Sequence, residues 1–318
     1  MAKTSDNPLI VQIQKRWDSL VLANPELQPI AEFHREVCRC IYRSPVHLTE
    51  LPFQSDKSGD SSALLKEKLK QGIAFLQGEE ESLDFTLPLS LYRELLQIVF
   101  SYKHSLSPHQ NLAPSRSFLD RIIPGARSRI QAGKWHENQQ DTRQLFIYVL
   151  QGNLDKITQE AEQLHISRDL LLTLLHYSLM PFLQAYGSRL KPLLDLDLWT
   201  HGNCPICGAW PSLSELRGAD QIRYLRCSLC GGDWVYPLLR CPYCENANHE
   251  KLGYFFVEGE EKKHRIYVCE ECKGYLKVFP TLDPTPPEFL NLEDLATLHF
   301  DVVAAERGYG RPYPFQKL

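Results

Sequence analysis

Cys204-Pro-Ile-Cys207, Cys227-Ser-Leu-Cys230, Cys241-Pro-Tyr-Cys244 and Cys269-Glu-Glu-Cys272 hold eight of the ten cysteines of this 318-residue chain. Two residues between thiols let both sulfurs turn toward one point, so each knuckle supplies half of a tetrahedral metal site. Four knuckles therefore imply two metals. The intervals indicate the pairing: 19 residues separate Cys207 from Cys227 and 24 separate Cys244 from Cys269, against 10 between Cys230 and Cys241. Intervals of about 15–25 residues suit a ribbon whose hairpins each carry a knuckle. One site is then expected from Cys204, Cys207, Cys227 and Cys230, the other from Cys241, Cys244, Cys269 and Cys272. Each half opens on Cys-Pro-x-Cys and runs through a β-rich stretch into Tyr224-Leu225-Arg226-Cys227 or Ile266-Tyr267-Val268-Cys269. The pattern reads as a tandem duplication of one small metal ribbon.

Disulfides are the first competing reading. Met1-Ala-Lys-Thr-Ser-Asp6 leads into no apolar signal-peptide core, so the thiols are expected in a reducing cytoplasm. A thioredoxin-type dithiol occurs once, beside a βαβ pattern, not four times in a repeat. Zinc and iron both accept four thiolates, and the identity of the metal stays open. Glycine directly after a knuckle, as at Gly208 and Gly231, permits a tight turn that aims backbone N–H groups at sulfur. Glu245 and Lys273 stand there in the second half, with Gly274 one step later.

Composition narrows the rest. With 43% hydrophobic and 23% charged residues the chain has the make-up of an ordinary soluble protein, long enough for about two domains. A net charge of −4 gives no field that would draw nucleic acid or an anionic membrane. No apolar run approaches the roughly 20 residues of a membrane span, so no insertion is expected.

Upstream of the cysteines the periodicity is helical. Ile10, Ile13, Trp17, Leu20 and Val21 make one stripe that Pro25 ends, and Ile30, Phe33, His34 and Val37 make a second. Further helices are expected at Ala63–Gln77, Leu89–His104, Asp141–Val149, Leu154–Leu164 and Asp169–Leu183. Ser167 caps the last of these and Pro181 kinks or ends it. Surface loops are expected at 43–62 and 105–116. His34, His104, His109 and His176 receive core or surface roles, not ligation. Cys38 and Cys40 form a Cys-x-Cys that cannot put both thiols on one helical face, so they read as ordinary semi-buried thiols.

Short strands are expected at Gln221–Arg226 and Tyr254–Val257, with Trp210, Trp234 and Tyr243 packed as shields around the cysteines. Past the proline-rich stretch Asp283–Pro287, Asn291 is expected to cap a final helix closed by Arg307-Gly308. The fold class is α+β: a mainly helical domain (1–198), two metal modules (199–236 and 237–282), then a linker and C-terminal helix (283–318).

Asn203-Cys-Pro-Ile-Cys-Gly208, Arg223 through Trp234, Arg240-Cys-Pro-Tyr-Cys244, Cys269-Glu-Glu-Cys-Lys-Gly-Tyr-Leu-Lys277, Asp294-Leu-Ala-Thr-Leu298 and Glu306-Arg-Gly-Tyr309 resemble the formate dehydrogenase accessory protein family, FdhE. The resemblance covers roughly the last third of the chain. It implies a helical N-terminal domain followed by two rubredoxin-like modules, two metal ions (iron or zinc), and a cytoplasmic maturation factor rather than an enzyme. Its partner would be the catalytic subunit of a formate dehydrogenase, met on a ribbon face around Trp234, Arg240 and the Lys273–Lys277 strand. Self-association as a homodimer stays open. A rubredoxin-like electron carrier is the alternative, because four thiolates suit iron. A nucleic-acid-binding zinc ribbon ranks last: residues 202–280 carry ten basic and ten acidic side chains, and thiolates make the module acidic.

Overall fold

The computed structural model describes residues 7–43, 46, 48, 61–105, 139–164, 166–260 and 263–317. The loops expected at 43–62 and 105–116, with His109, lie largely outside them. The chain divides into two units, Met1–Val46 with Leu83–Phe182 and His47–Ser82 with Leu183–Leu318. These units differ from the division by local character, because residues 61–82 and the stretch from Leu183 go with the cysteines.

The first unit is helical. In α1 (Pro8–Ala23) the Asn7 side chain accepts the Leu9 N–H and Pro8 stands where its missing N–H costs nothing. Ile10, Ile13 and Trp17 are its buried stripe. In α2 (Gln28–Ile41) His34 is fully buried rather than at the core edge, and its Nδ1 accepts the Trp17 indole N–H at 2.9 Å. Cys38 lies 3.5 Å from the same imidazole, while Cys40 donates to Glu94 at 3.6 Å, so the two thiols point to different neighbours. Among the described residues, α3 (Ser61–Lys70), of the second unit, is followed by α4 (Thr86–Ser105), α5 (Gln139–Leu150), α6 (Leu154–Gln163) and α7 (Arg168–Leu190), whose residues from Leu183 go with the second unit. Ser167 Oγ accepts the Leu170 N–H, as anticipated for a cap.

Pro181 does not end α7, which runs on to Leu190. A mid-helix proline costs about 3 kcal/mol. Leu179, Met180, Phe182, Leu183, Tyr186 and Leu190 around it are all buried, and that packing outweighs the lost bond.

In the second unit six strands form one sheet in the order β3-β2-β1-β6-β5-β4. The first half supplies β1 (Leu213–Arg217), β2 (Ile222–Arg226) and β3 (Asp233–Val235); the second supplies β4 (Leu252–Phe255), β5 (Arg265–Cys269) and β6 (Tyr275–Thr281). Each half is an antiparallel meander. Arg226 opposes Asp233 in the first and Val268 opposes Tyr275 in the second. Each pair joins the residue before a knuckle to the third residue after it, so the halves share one register. They meet through β1 and β6, which run parallel with Leu213 beside Lys277 and Glu215 beside Phe279. The first strand of one half thus joins the last strand of the other.

Two buried charge networks lie along this joint. Glu215, fully buried, takes Arg226 and Arg217, and Arg217 reaches on to Asp233. Lys277, also fully buried, donates to Asp294 at 2.6 Å and Asp301 at 3.0 Å, and Arg311 pairs with the same two carboxylates. The single C-terminal helix expected from Asn291 is instead two, α8 (Leu290–Ala296) and α9 (Leu298–Glu306), with Phe289 at the first cap position and no side-chain cap bond. At the break at Thr297 the Asp294 and Thr297 carbonyls accept the Lys277 ammonium at 2.8 and 3.4 Å, beside the N–H groups of Thr297 and Phe300. A fully buried ammonium needs those acceptors more than a helix needs continuity.

Candidate metal centres

All four knuckles are built on one backbone frame. The N–H of each first cysteine bonds the carbonyl five residues on: Cys204 to Ala209, Cys227 to Gly232, Cys241 to Asn246 and Cys269 to Gly274, at 2.8–3.0 Å. Gly208, Gly231 and Glu245 donate back to Cys204, Cys227 and Cys241. The residue after each second cysteine is left-handed, with φ of 82° at Gly208, 72° at Gly231, 60° at Glu245 and 54° at Lys273. The second half therefore makes the same turn without glycine. Gly274, which the sequence suggests as a displaced turn glycine, is the counterpart of Gly232. A Cβ on either would stand 3.0–3.3 Å from a cysteine sulfur, so both are glycine to let backbone approach the site.

The frame gathers the sulfurs into two groups, Cys204, Cys207, Cys227 and Cys230, and Cys241, Cys244, Cys269 and Cys272. Within each group the sulfurs lie within 4.8 Å of one another. In the first, Cys204 and Cys230 are 3.4 Å apart and Cys207 and Cys227 3.5 Å; in the second, Cys241–Cys272 and Cys244–Cys269 are 3.7 Å apart. An ion held tetrahedrally at about 2.3 Å from each sulfur sets its ligands about 3.8 Å apart. Both groups thus fit a zinc- or iron-sized ion. Among the described residues these are the two groups of this kind, and Cys38 and Cys40 belong to neither.

The surroundings differ. All four cysteines of the first group are buried. Phe75 and Leu76 donate to the carbonyls of Pro205 and Ile206 inside its first knuckle. A Cβ on Gly187 would lie 2.1 Å from the Cys230 carbonyl oxygen, and one on Gly231 would lie 2.7 Å from Pro287. Residues 73–76, the end of α7 and Pro287 thus close over it. In the second group Cys244 and Cys272 are exposed. Its neighbours are polar: Asn246 donates to Cys269 Sγ at 3.6 Å, and Glu245 takes Arg240 at 2.6 Å and His201 at 3.2 Å. The aromatic residues expected as shields serve packing: Trp234 and Tyr243 are buried, Trp234 donates to the His201 carbonyl, and Trp210 meets Tyr243 edge to face.

Hydrogen bonding from Cys272, ahead of opposing burial, draws the Cys241 thiol down to about 5, while bonding to Cys241 and then burial drive Cys272 far up. Hydrogen bonds from Cys204, Cys207 and Cys230 hold Cys227 well below its ordinary value. One thiolate accepts from its neighbours in each group, an arrangement in which a cation replaces the shared protons.

Sequence reading did not assign Lys277, Asp294 and Arg311 a physical role, although the Gly-Tyr-Leu-Lys and Leu-Ala-Thr-Leu stretches carry two of them. At Asp294 burial pushes the pKa up, but Arg311 and Lys277 together bring it far below the carboxylate range. No helix among the described residues is long and apolar enough to cross a membrane.

Comparison with known proteins places this arrangement. Residues 203–237 match the family described as FdhE, central domain, and residues 239–315 that described as FdhE, C-terminal domain. The Protein FdhE homolog of Aquifex aeolicus is 32% identical over 147 residues, 45% of this chain and 50% of that one. That of Stutzerimonas stutzeri is 40% identical over 114 residues, 35% and 36% of the two chains. The matched stretch spans half the length of these relatives or less. The crystal structure of the FdhE protein from Pseudomonas aeruginosa aligns with 97% of this chain and 95% of its own, with a TM-score of 0.55 and 21% identity, so the fold is shared.

Proposed function

We propose, from the match of residues 203–237 and 239–315 to the FdhE domains, that the chain is an accessory protein of that family that binds the catalytic subunit of a formate dehydrogenase in the cytoplasm and helps it become active. Cys204, Cys207, Cys227 and Cys230 hold one metal ion, iron or zinc, and Cys241, Cys244, Cys269 and Cys272 hold a second. The observation that carries this reading is the closure of both groups by four sulfurs. A four-thiolate site has no position left for a substrate, so it organises a surface instead of turning over a reactant. The ribbon face anticipated for the partner is narrowed by burial: Trp234 and Lys277 are inaccessible, while Lys273 and part of Arg240 face outward. Deleting the gene and assaying formate oxidation beside dehydrogenase protein level tests the role. Lost activity with the dehydrogenase still made is the expected result, and unchanged activity in a strain without a related gene overturns it.

The exposure of Cys244 and Cys272 favours one second reading, electron transfer at the second group. Anaerobic purification followed by a visible spectrum separates the two. A ferric thiolate band that bleaches reversibly supports the electron carrier, and a colourless zinc protein excludes it.

A further inference from the structure

The repeat that builds the sheet leaves one of its edges unequal. Counted from the knuckles, β4 is the counterpart of β1: Leu213 opposes Arg226, the residue before Cys227, and Gly253 opposes Val268, the residue before Cys269. The outer edge of β1 is filled by β6, running parallel. Among the described residues the outer edge of β4 pairs with no strand. β3, at the other end, is only three residues long; Pro237 follows soon after it, and Lys191 reaches Asp233 at its start. An edge strand with free N–H and C=O groups is a template for a further strand unless it is covered or blunted.

β4 is also short, and Tyr309 and Arg307 pack on Phe255, but the strand carries no proline and no charged side chain. Tyr254 is 53% exposed and Phe256 just beyond it 47%. Gly253, between Leu252 and Tyr254, is not required by packing: an added Cβ would stand 3.7 Å from Val268, an ordinary contact. A glycine inside a strand that the fold does not need marks a place where another backbone comes close.

The face beside this edge is aromatic and cationic. Tyr254 meets Tyr267 edge to face at 5.6 Å, Arg265 lies over Tyr254 at 5.1 Å, and Arg223 lies over Tyr267 at 5.7 Å. Neither Arg223 nor Arg265 has a carboxylate partner among the described residues. Arg223 is buried, and its bonds go to Ser214 and to the carbonyls of Pro237, Leu238 and Arg240. A depression of about 30 Å³, lined by Arg223, Arg240, Tyr267, Leu252 and Gly253 among others, opens next to this row. Tyrosine and arginine are the residues that dominate binding at interface centres. The Arg223 guanidinium is satisfied by its carbonyls, whereas that of Arg265, which only covers the Tyr254 ring, suits a carboxylate.

We propose that the outer edge of β4 takes an extended segment of the client protein as an added strand, with an Asp or Glu of that segment facing Arg265. The main chain supplies the hydrogen bonds and the aromatic row selects the side chains, as in other strand-addition modes. This rests on the reading that the chain binds a formate dehydrogenase catalytic subunit, which serves as the probe.

The full chain is co-purified with that subunit, unaltered and as Tyr254→Glu, Arg265→Glu and Arg265→Lys. Metal content and melting of each variant are checked, and backbone amide exchange at 252–256 is followed with and without the subunit. Capture falls at least tenfold in Tyr254→Glu and Arg265→Glu, stays within a few-fold in Arg265→Lys, and exchange at 252–256 slows in the complex. Undiminished capture by the two glutamate variants, or unchanged exchange at 252–256 in a complex that does form, overturns the strand addition and leaves the partner reading standing. No capture by the unaltered chain overturns both.

Discussion

The two cysteine halves make the same knuckles in the same register, yet one is sealed and the other is open. Gly208 and Gly231 take the left-handed positions of the first half at no steric cost, whereas Glu245 and Lys273 occupy the matching positions of the second. The first group is covered by residues 73–76, the end of α7 and Pro287; in the second, Cys244 and Cys272 reach the surface. The difference teaches that a duplicated frame can be kept for geometry while its surroundings are freed for different work. A sealed group sits in the unit's core, and an ion held there would be part of that core. An open one exposes sulfur and side chains such as Glu245 and Lys273 to whatever binds.

The largest expected contrast comes from removing one sulfur from each half. Cys204→Ser opens a fully buried group and should cost more than about 4 kcal/mol, since structural metal binding is folding energy. Cys272→Ser, at an exposed ligand where water can replace the thiolate, should cost clearly less. Denaturant unfolding beside metal content measures both, and limited proteolysis should find the helices between Pro8 and Ile41 intact in either variant. Equal losses in the two variants would erase the distinction between a sealed and an open site.

Lys277→Met attacks the joint between the halves and not either group. It leaves the half-buried Asp294 and Asp301 with Arg311 alone, and breaking from one side a network whose lysine is fully buried costs about 3 kcal/mol. Both metals should stay bound. Loss of one ion along with stability would mean that the joint holds a cysteine group together.

Acid acts on the helical unit through His34, and on the second cysteine half through His264, which burial also lowers to about 4. Burial lowers the His34 pKa to about 4 from an ordinary 6.5. The unfolded chain takes up this proton near 6.5 and the folded chain only near 4, so stability is whole above 6.5 and falls as pH drops through the interval. The loss reaches roughly 3 kcal/mol at most. Amide exchange in α1 and α2 at pH 7 and pH 4.5 reads it, and equal protection at the two values would show that His34 does not carry the effect.

Much of this contrast can be read from sequence and part of it cannot. The knuckles, their pairing and the duplication are local patterns, so spacing alone reveals them. Ser167 and the apolar stripe of α1 are legible for the same reason. The parallel joint of β1 and β6 depends on strands about sixty residues apart, and nothing in either strand announces the other. Pro181 reads as a helix kink or end because local propensity says so; burial on both sides carries the helix past it. The break at Thr297 is set by Lys277, a residue on another element. Gly274 misleads because it stands one residue from the position where a turn glycine is sought, and only the backbone angles show that Lys273 fills that position.

The smallest expected effect tests that last point. Left-handed backbone costs a non-glycine residue about 1 kcal/mol, a cost that Gly208 avoids and Lys273 bears. Lys273 keeps some compensation from its ion pair with Glu270 and its place 5.5 Å over the Tyr309 ring, but both contacts are exposed and worth a few tenths of a kcal/mol. Lys273→Gly should therefore stabilise the second half by up to about 1 kcal/mol. Gly208→Ala, whose new Cβ meets Ala74 at a tolerable 3.4 Å, should destabilise the first half by a similar amount. Opposite signs in the two melting shifts are the expected result. If Lys273→Gly lowers stability, the surface contacts of that lysine outweigh its backbone strain, and the open half is held by its side chains rather than by its turns.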